Sequence, residues 1–87
     1  MNQERIRIAM ADDHPVVRRG LRAFLASQPE FDVVVECGDG DALIESLRQT
    51  EVDLVLLDLL MPGGGAGLVQ RLGDLAPDAR IVALTSS

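Results

Sequence analysis

Along the chain, short apolar runs alternate with stretches in which apolar residues recur at helical spacing. The run Leu54 to Leu57 lies inside V-D-L-V-L-L-D-L-L-M-P (residues 52–62) and is bounded by Asp53 and Asp58. An unbroken apolar run of this length suits a strand buried on both faces of a parallel sheet. Comparable runs predict strands at Ile6 to Ala11, Phe31 to Glu36 and Ile81 to Leu84. Between them, Val17, Leu21, Phe24 and Leu25 mark the inner stripe of a helix from Pro15 to about Ser27. Leu43, Ile44 and Leu47 do the same for a second helix, and Leu68, Val69, Leu72 and Leu75 for a third.

The boundaries have local causes. Pro15 suits the first position of a helix, because its fixed φ is helical and its missing N–H would have had no partner there. Pro29 lies beyond the end of that helix. Gly38, Asp39, Gly40 and Asp41 supply a turn and an N-cap for the second. Ala76-Pro77-Asp78 forms a turn, and the glycine-rich stretch 63–67 marks a loop after the third strand. The resulting order β-α-β-α-β-α-β, with short links, predicts an α/β fold with a doubly wound parallel sheet, since each parallel return needs a crossover helix.

A strand covered on both faces has room for charge only at its ends, and ligands of open α/β sheets bind at the carboxyl edge. Asp12 and Asp13 follow the first strand, Asp58 ends the third and Thr85 ends the fourth. If the first and third strands are neighbours, three carboxylates converge, and each like-charge pair costs roughly 4 kcal/mol at about 4 Å in an effective dielectric of 20. A hard divalent cation such as Mg²⁺ relieves that repulsion with oxygen ligands alone. A carboxylate beside such a cation can act as a nucleophile towards phosphorus, and Asp58 is the candidate. Asp12 and Asp13 would hold the metal, the Leu60 carbonyl would complete the shell, and Thr85 would bond a phosphoryl oxygen. No G-x-G-x-x-G and no G-K-[ST] is present, so neither a dinucleotide fold nor a P-loop is supported.

Composition narrows the picture. Eighty-seven residues make at most one small domain, and 47% hydrophobic content argues for a packed core. The net charge of −6 argues against the chain itself gripping nucleic acid, because phosphate binding needs a basic face. All eight basic residues are Arg, and the single Cys37 cannot form an internal disulfide. With no signal peptide and no long apolar run, the simplest expectation is a cytoplasmic protein without membrane contact.

Asp12-Asp13 after the first strand, Asp58 in D-L-L-M-P after the third, and Thr85 after the fourth together resemble the receiver domain of bacterial two-component response regulators. The strings A-D-D-H-P-V-V-R-R-G-L-R and A-P-D-A-R-I-V-A-L-T-S look like the NarL/FixJ subfamily, which joins its receiver to a LuxR-type helix-turn-helix. The resemblance implies a flavodoxin-like sheet in the order 2-1-3-4 over these elements. It implies that Asp58 accepts a phosphoryl group from a sensor histidine kinase or a small phosphodonor. It further implies that Asp13, Asp58 and the Leu60 carbonyl ligate Mg²⁺, that Asp12 acts through water, and that Thr85 is the switch residue. A complete receiver adds a fifth strand led by a Lys and two further helices. On that resemblance residues 1–87 are the N-terminal portion of a receiver domain, and DNA is reached only through an output domain outside this chain.

Two other functional classes are compatible with parts of this pattern. One is an interaction or dimerisation module of the same fold that works without phosphorylation. The other is a phosphohydrolase with an aspartate nucleophile, which typically needs a second Asp two positions on, where Leu60 stands, so the chain is not expected to be an enzyme. Three helices over two sheet faces leave one face bare near strands three and four, and strand four is expected as an exposed apolar edge. That surface predicts either continuation into a longer protein or self-association as a dimer or swapped oligomer. Other residues are expected to be structural: His14 as a helix starter, Cys37 as a small core residue, and Arg18, Arg19 and Arg22 as a solvated helix face.

Overall fold

The computed structural model describes residues 5–84. The elements are β1 (Ile6–Ala11), α1 (Pro15–Ala26), β2 (Phe31–Cys37), α2 (Gly40–Gln49), β3 (Leu54–Asp58), α3 (Ala66–Leu75) and β4 (Arg80–Leu84). The four strands form one parallel sheet in the order β2-β1-β3-β4, as in the flavodoxin-like receiver fold. The first and third strands are therefore neighbours. Their register pairs Ala11 with Leu57, so the next residues, Asp12 just past β1 and Asp58 at the end of β3, stand side by side. Thr85 lies outside the described residues.

Alternation along the strands sorts the core into two layers. Ala9 and Ala11 of β1 and Val55 and Leu57 of β3 pack under α2 and α3 with Leu43, Ile44, Leu47, Leu68 and Leu72. Ile8 and Met10, from the opposite face of β1, pack with Leu25 of α1, and Leu21, Phe31, Val33, Leu54 and Leu56 border that cluster. Two helices thus serve one face and a single helix the other. The consequence is visible in β3, which the apolar run had suggested was buried on both sides. Val55 and Leu57 are fully buried, whereas Leu54 and Leu56 are only half-buried.

The expected inner stripe of α1 is only partly borne out. Leu25 is buried and Leu21 half-buried, but Val17 is 42% and Phe24 61% exposed. The cause is lateral position: α1 lies over β2, at one margin of the sheet, and the rest of its apolar stripe meets no cover among the described residues. Val82 of β4 is likewise exposed on this thinner side. The bare surface and the β4 edge expected from counting helices are therefore present in the described chain.

Local chemistry fixes the helix starts. Asp39 caps α2, its side chain accepting from the Ala42 N–H at 2.8 Å. Pro15 opens α1 behind His14, whose side chain makes no capping bond. Gly65 precedes α3 with φ of 100°, and Gly63 in the same loop has φ of 77°, both in the left-handed region that glycine alone enters freely. That loop is tied to α2, because the Gly40 N–H donates to the Pro62 carbonyl at 2.9 Å. A Cβ on Gly40 would lie 2.5 Å from the Gly63 carbonyl oxygen, so the two backbones meet with no room for a side chain. No helix among the described residues is long and apolar enough to cross a membrane.

Candidate functional site

At the carboxyl edge of β1 and β3, Asp12, Asp13, His14 and Asp58 each offer a ligand atom, and these atoms lie within 4.8 Å of one another. Asp12 is 2% and Asp58 1% exposed, while Asp13 and His14 face solvent. At 4.8 Å two full negative charges repel by about 3.5 kcal/mol in an effective dielectric of 20. The sheet register enforces this proximity, since Asp12 and Asp58 follow paired residues on hydrogen-bonded strands.

The two oxygens of Asp58 differ. Oδ1 accepts the Leu60 N–H at 2.9 Å, which orients the carboxylate. Oδ2 is buried and makes no hydrogen bond among the described residues. A buried oxygen anion without a donor is strongly disfavoured. Oδ2 is thus an acceptor aimed into the acidic cluster and short of a cation or donor. Asp12 is held differently: its Oδ1 accepts the His14 N–H at 2.7 Å, and its own N–H donates to the Cys37 carbonyl at 3.0 Å, extending the β1–β2 ladder by one rung. Leu60 lies two residues past Asp58 with its side chain 69% exposed.

The structure gives two groups more than the structural roles that the sequence suggests. His14 does stand at the start of α1, but its ring is turned into the cluster. Nδ1 is 3.0 Å from Asp12 Oδ1, 3.2 Å from Asp13 Oδ1 and 3.5 Å from Asp58 Oδ2. The hydrogen bond to Asp12, then the charge of Asp13, hold the imidazole pKa above its ordinary value. Arg18 is no solvated spectator either. Its Nη1 donates to the Asp12 carbonyl at 3.1 Å while Nε pairs with Glu36 at 3.2 Å, and Arg22 reaches Glu36 at 3.4 Å. The neighbour Pro15 is a hint that residue 14 sits outside the helix, but the direction of the ring is set by carboxylates that include one from another strand. The helical spacing of Arg18 and Arg22, one turn apart, is the signal that both could reach a strand-borne acid.

Cys37 is the core residue expected. It is buried, its Sγ lies 3.8 Å from the Met10 carbonyl oxygen, and burial, with the charge of Asp39 adding, pushes the thiol up to about 11.

An oxygen-rich pocket with a buried, unpartnered carboxylate oxygen suits a hard divalent cation. Asp12, Asp13 and Asp58 could hold one. The donor set, the fold and the strand order converge on known proteins. Residues 8–87 match the response regulator receiver domain family. The chain is 38% identical over 87 residues to the uncharacterized transcriptional regulatory protein YxjL of Bacillus subtilis (strain 168), covering 99% of this chain and 40% of that protein. It is 37% identical over 87 residues to the nitrate/nitrite response regulator protein NarL of Escherichia coli (strain K12), with the same coverage. Among solved structures, the complex of the two-component response regulator RcsB with DNA gives a TM-score of 0.91 at 32% identity, covering 97% of this chain and 45% of that one. The signal receiver domain of a NarL response regulator from Mycobacterium tuberculosis gives 0.89 at 30% identity, covering 98% and 69%. The chain spans about 40% of the length of the curated relatives it matches. It belongs to the response regulator receiver domain family, and its relatives include NarL-type response regulators.

Proposed function

We propose that the chain takes a phosphoryl group on Asp58 in the presence of Mg²⁺, and that residues 1–87 are part of a receiver domain controlling a DNA-binding transcriptional output. The observation carrying this reading is Asp58 Oδ2, buried and without a hydrogen bond among the described residues, beside Asp12 and Asp13. The Leu60 N–H occupies Oδ1 and leaves the lone pairs of Oδ2 free for attack. In the transfer, Oδ2 forms a bond to phosphorus while the bond to the leaving group breaks, and the leaving group departs with its electron pair. That group is the imidazole of a phosphohistidine on a sensor kinase, or the carboxylate of a small acyl phosphate. A bound divalent cation supplies charge neutralisation for the incoming phosphoryl oxygens. Asp13, Asp58 and the Leu60 carbonyl would hold it, with Asp12 acting through water. Thr85 is proposed as the switch residue.

The partners that follow are a sensor histidine kinase and DNA reached through a separate output domain. The thinly covered sheet face, with Val82 and Phe24 exposed, favours a second reading, in which the same fold associates with itself independently of phosphate. One experiment separates the readings. The protein and Asp58→Asn are treated with acetyl phosphate and Mg²⁺, and mass spectrometry looks for an acid-stable, base-labile adduct. An adduct on the parent alone supports the receiver reading. Its absence from both removes that reading and leaves the interaction module, and steady turnover of a phosphate ester would instead indicate an enzyme.

A further inference from the structure

The imidazole of His14 is where the acidic pocket departs from an all-oxygen donor set. Donor atoms on one first-row dication, each about 2.1 Å from the metal, stand about 3.0 Å apart in an octahedral shell and about 3.4 Å apart in a tetrahedral one. The separations of Nδ1 from the oxygens of Asp12, Asp13 and Asp58 are 3.0, 3.2 and 3.5 Å, the spacing of neighbouring ligands around a single ion. In addition, Asp58 Oδ2 is buried and faces the same space without a hydrogen bond among the described residues. The ring is held there from the backbone, since the His14 N–H donates to Asp12 Oδ1 at 2.7 Å.

We propose that His14 Nδ1 is itself a ligand of the cation held by the Asp13 and Asp58 carboxylates. The pocket is then a mixed nitrogen and oxygen site that prefers a borderline first-row dication, such as Co²⁺ or Ni²⁺, over Mg²⁺. This inference rests on the divalent-cation reading of the same pocket. Imidazole nitrogen suits transition metals, whereas Mg²⁺ favours oxygen donors and keeps its waters, so one nitrogen is enough to tilt the selectivity. The His14 side chain is 53% exposed, so the ring accommodates its remaining proton at Nε2 in contact with water. Entry of the ion displaces the proton that Nδ1 shares with Asp12, and that proton leaves to solvent.

Binding of Mg²⁺ and of Co²⁺ is measured by titration calorimetry on the intact protein and on His14→Ala. Pulsed EPR of both proteins loaded with Mn²⁺ then reads coupling to an imidazole ¹⁴N. The expected result is Co²⁺ binding at least about tenfold tighter than Mg²⁺ in the parent, with that margin lost in the variant through weaker Co²⁺ binding. Mg²⁺ affinity stays within about twofold, and the nitrogen coupling disappears with the ring. Because the side chain is half in water, His14→Ala should keep its fold, which circular dichroism checks. An equal loss of both metals in the variant overturns the ligand role while leaving the cation site in place. So does the absence of ¹⁴N coupling in a parent that binds Mg²⁺. Failure of every dication to bind the parent overturns both readings together.

Discussion

Asp58→Asn should stabilise the metal-free protein, an unusual outcome for a substitution at a residue only 1% exposed. Asparagine keeps the Oδ1 acceptor for the Leu60 N–H and nearly the same volume, so the packing around Leu57 and Met61 is undisturbed. What is lost is a negative charge within 4.8 Å of the other carboxylates. The partner that matters most is Asp12, which is 2% exposed, because water around Asp13 weakens the repulsion from that carboxylate. The Asp12–Asp58 pair is worth about 3.5 kcal/mol at that distance and an effective dielectric of 20. His14 offsets part of it when protonated, and local relaxation takes another part, leaving an expected gain of about 2 kcal/mol. With an m-value of about 1–2 kcal/mol/M, the urea midpoint should rise by about 1 M or more. Excess Mg²⁺ then raises the parent, by about 2.7 kcal/mol at a hundred times its Kd, and the variant far less. Urea titrations with EDTA and with Mg²⁺ measure all four midpoints. A variant that melts below its parent in EDTA, or that gains as much as the parent from Mg²⁺, refutes the electrostatic account of the pocket.

Further outcomes follow from other parts of the molecule. Gly40→Ala, whose new methyl would meet the Gly63 carbonyl, should cost about 1–3 kcal/mol in urea titration, whereas Gly73→Ala, with nothing within 4 Å, should add about 1 kcal/mol. His14 is the sole histidine, so its ring signal titrates alone in NMR. Its midpoint should lie above the ordinary 6.5, fall in Asp13→Asn, and fall when Mg²⁺ neutralises the carboxylates. Because the folded-state value is raised, the His14 contribution to stability is complete below the unfolded pKa and is lost as pH rises through the folded one. A pH series in EDTA, compared with His14→Gln, reads that loss. Cys37 should resist alkylation at neutral pH and react fully in denaturant, because burial keeps the thiol protonated.

Most of the framework was legible from residue pattern because it depends on backbone periodicity. The run Leu54 to Leu57, the capping Asp39 and the opening Pro15 each settle a local choice, and the parallel order then follows from helices between strands. The convergence of Asp12, Asp13 and Asp58 was legible for the same reason, as strand ends that share a sheet edge must meet. What periodicity does not encode is lateral placement and ring direction. The stripe of Val17, Leu21, Phe24 and Leu25 has helical spacing whatever lies beneath it, so the exposure of Val17 and Phe24 depends on α1 lying over β2. The turn of His14 into the pocket, and the reach of Arg18 to the Asp12 carbonyl, are rotamer outcomes settled by partners on other segments. Asp53 was read as a boundary, yet its side chain also accepts the Arg7 N–H at 2.9 Å, locking β1 and β3 at their amino ends from 46 residues away.

The unequal cover of the sheet has a kinetic corollary. Amide exchange in a parallel sheet is slowest where a strand is paired on both sides and roofed on both faces, and fastest at a margin. Among the described residues β1 and β3 are the interior strands, and β4 is paired only to β3, with Val82 open to water on the thinner side. Among the described strands, β4 has less pairing and cover than β1 and β3, so its amides are expected to exchange before theirs. Asp58 ends the strand to which β4 is paired, so this carboxylate is seated on one of the more persistent described strands and borders one that exchanges sooner.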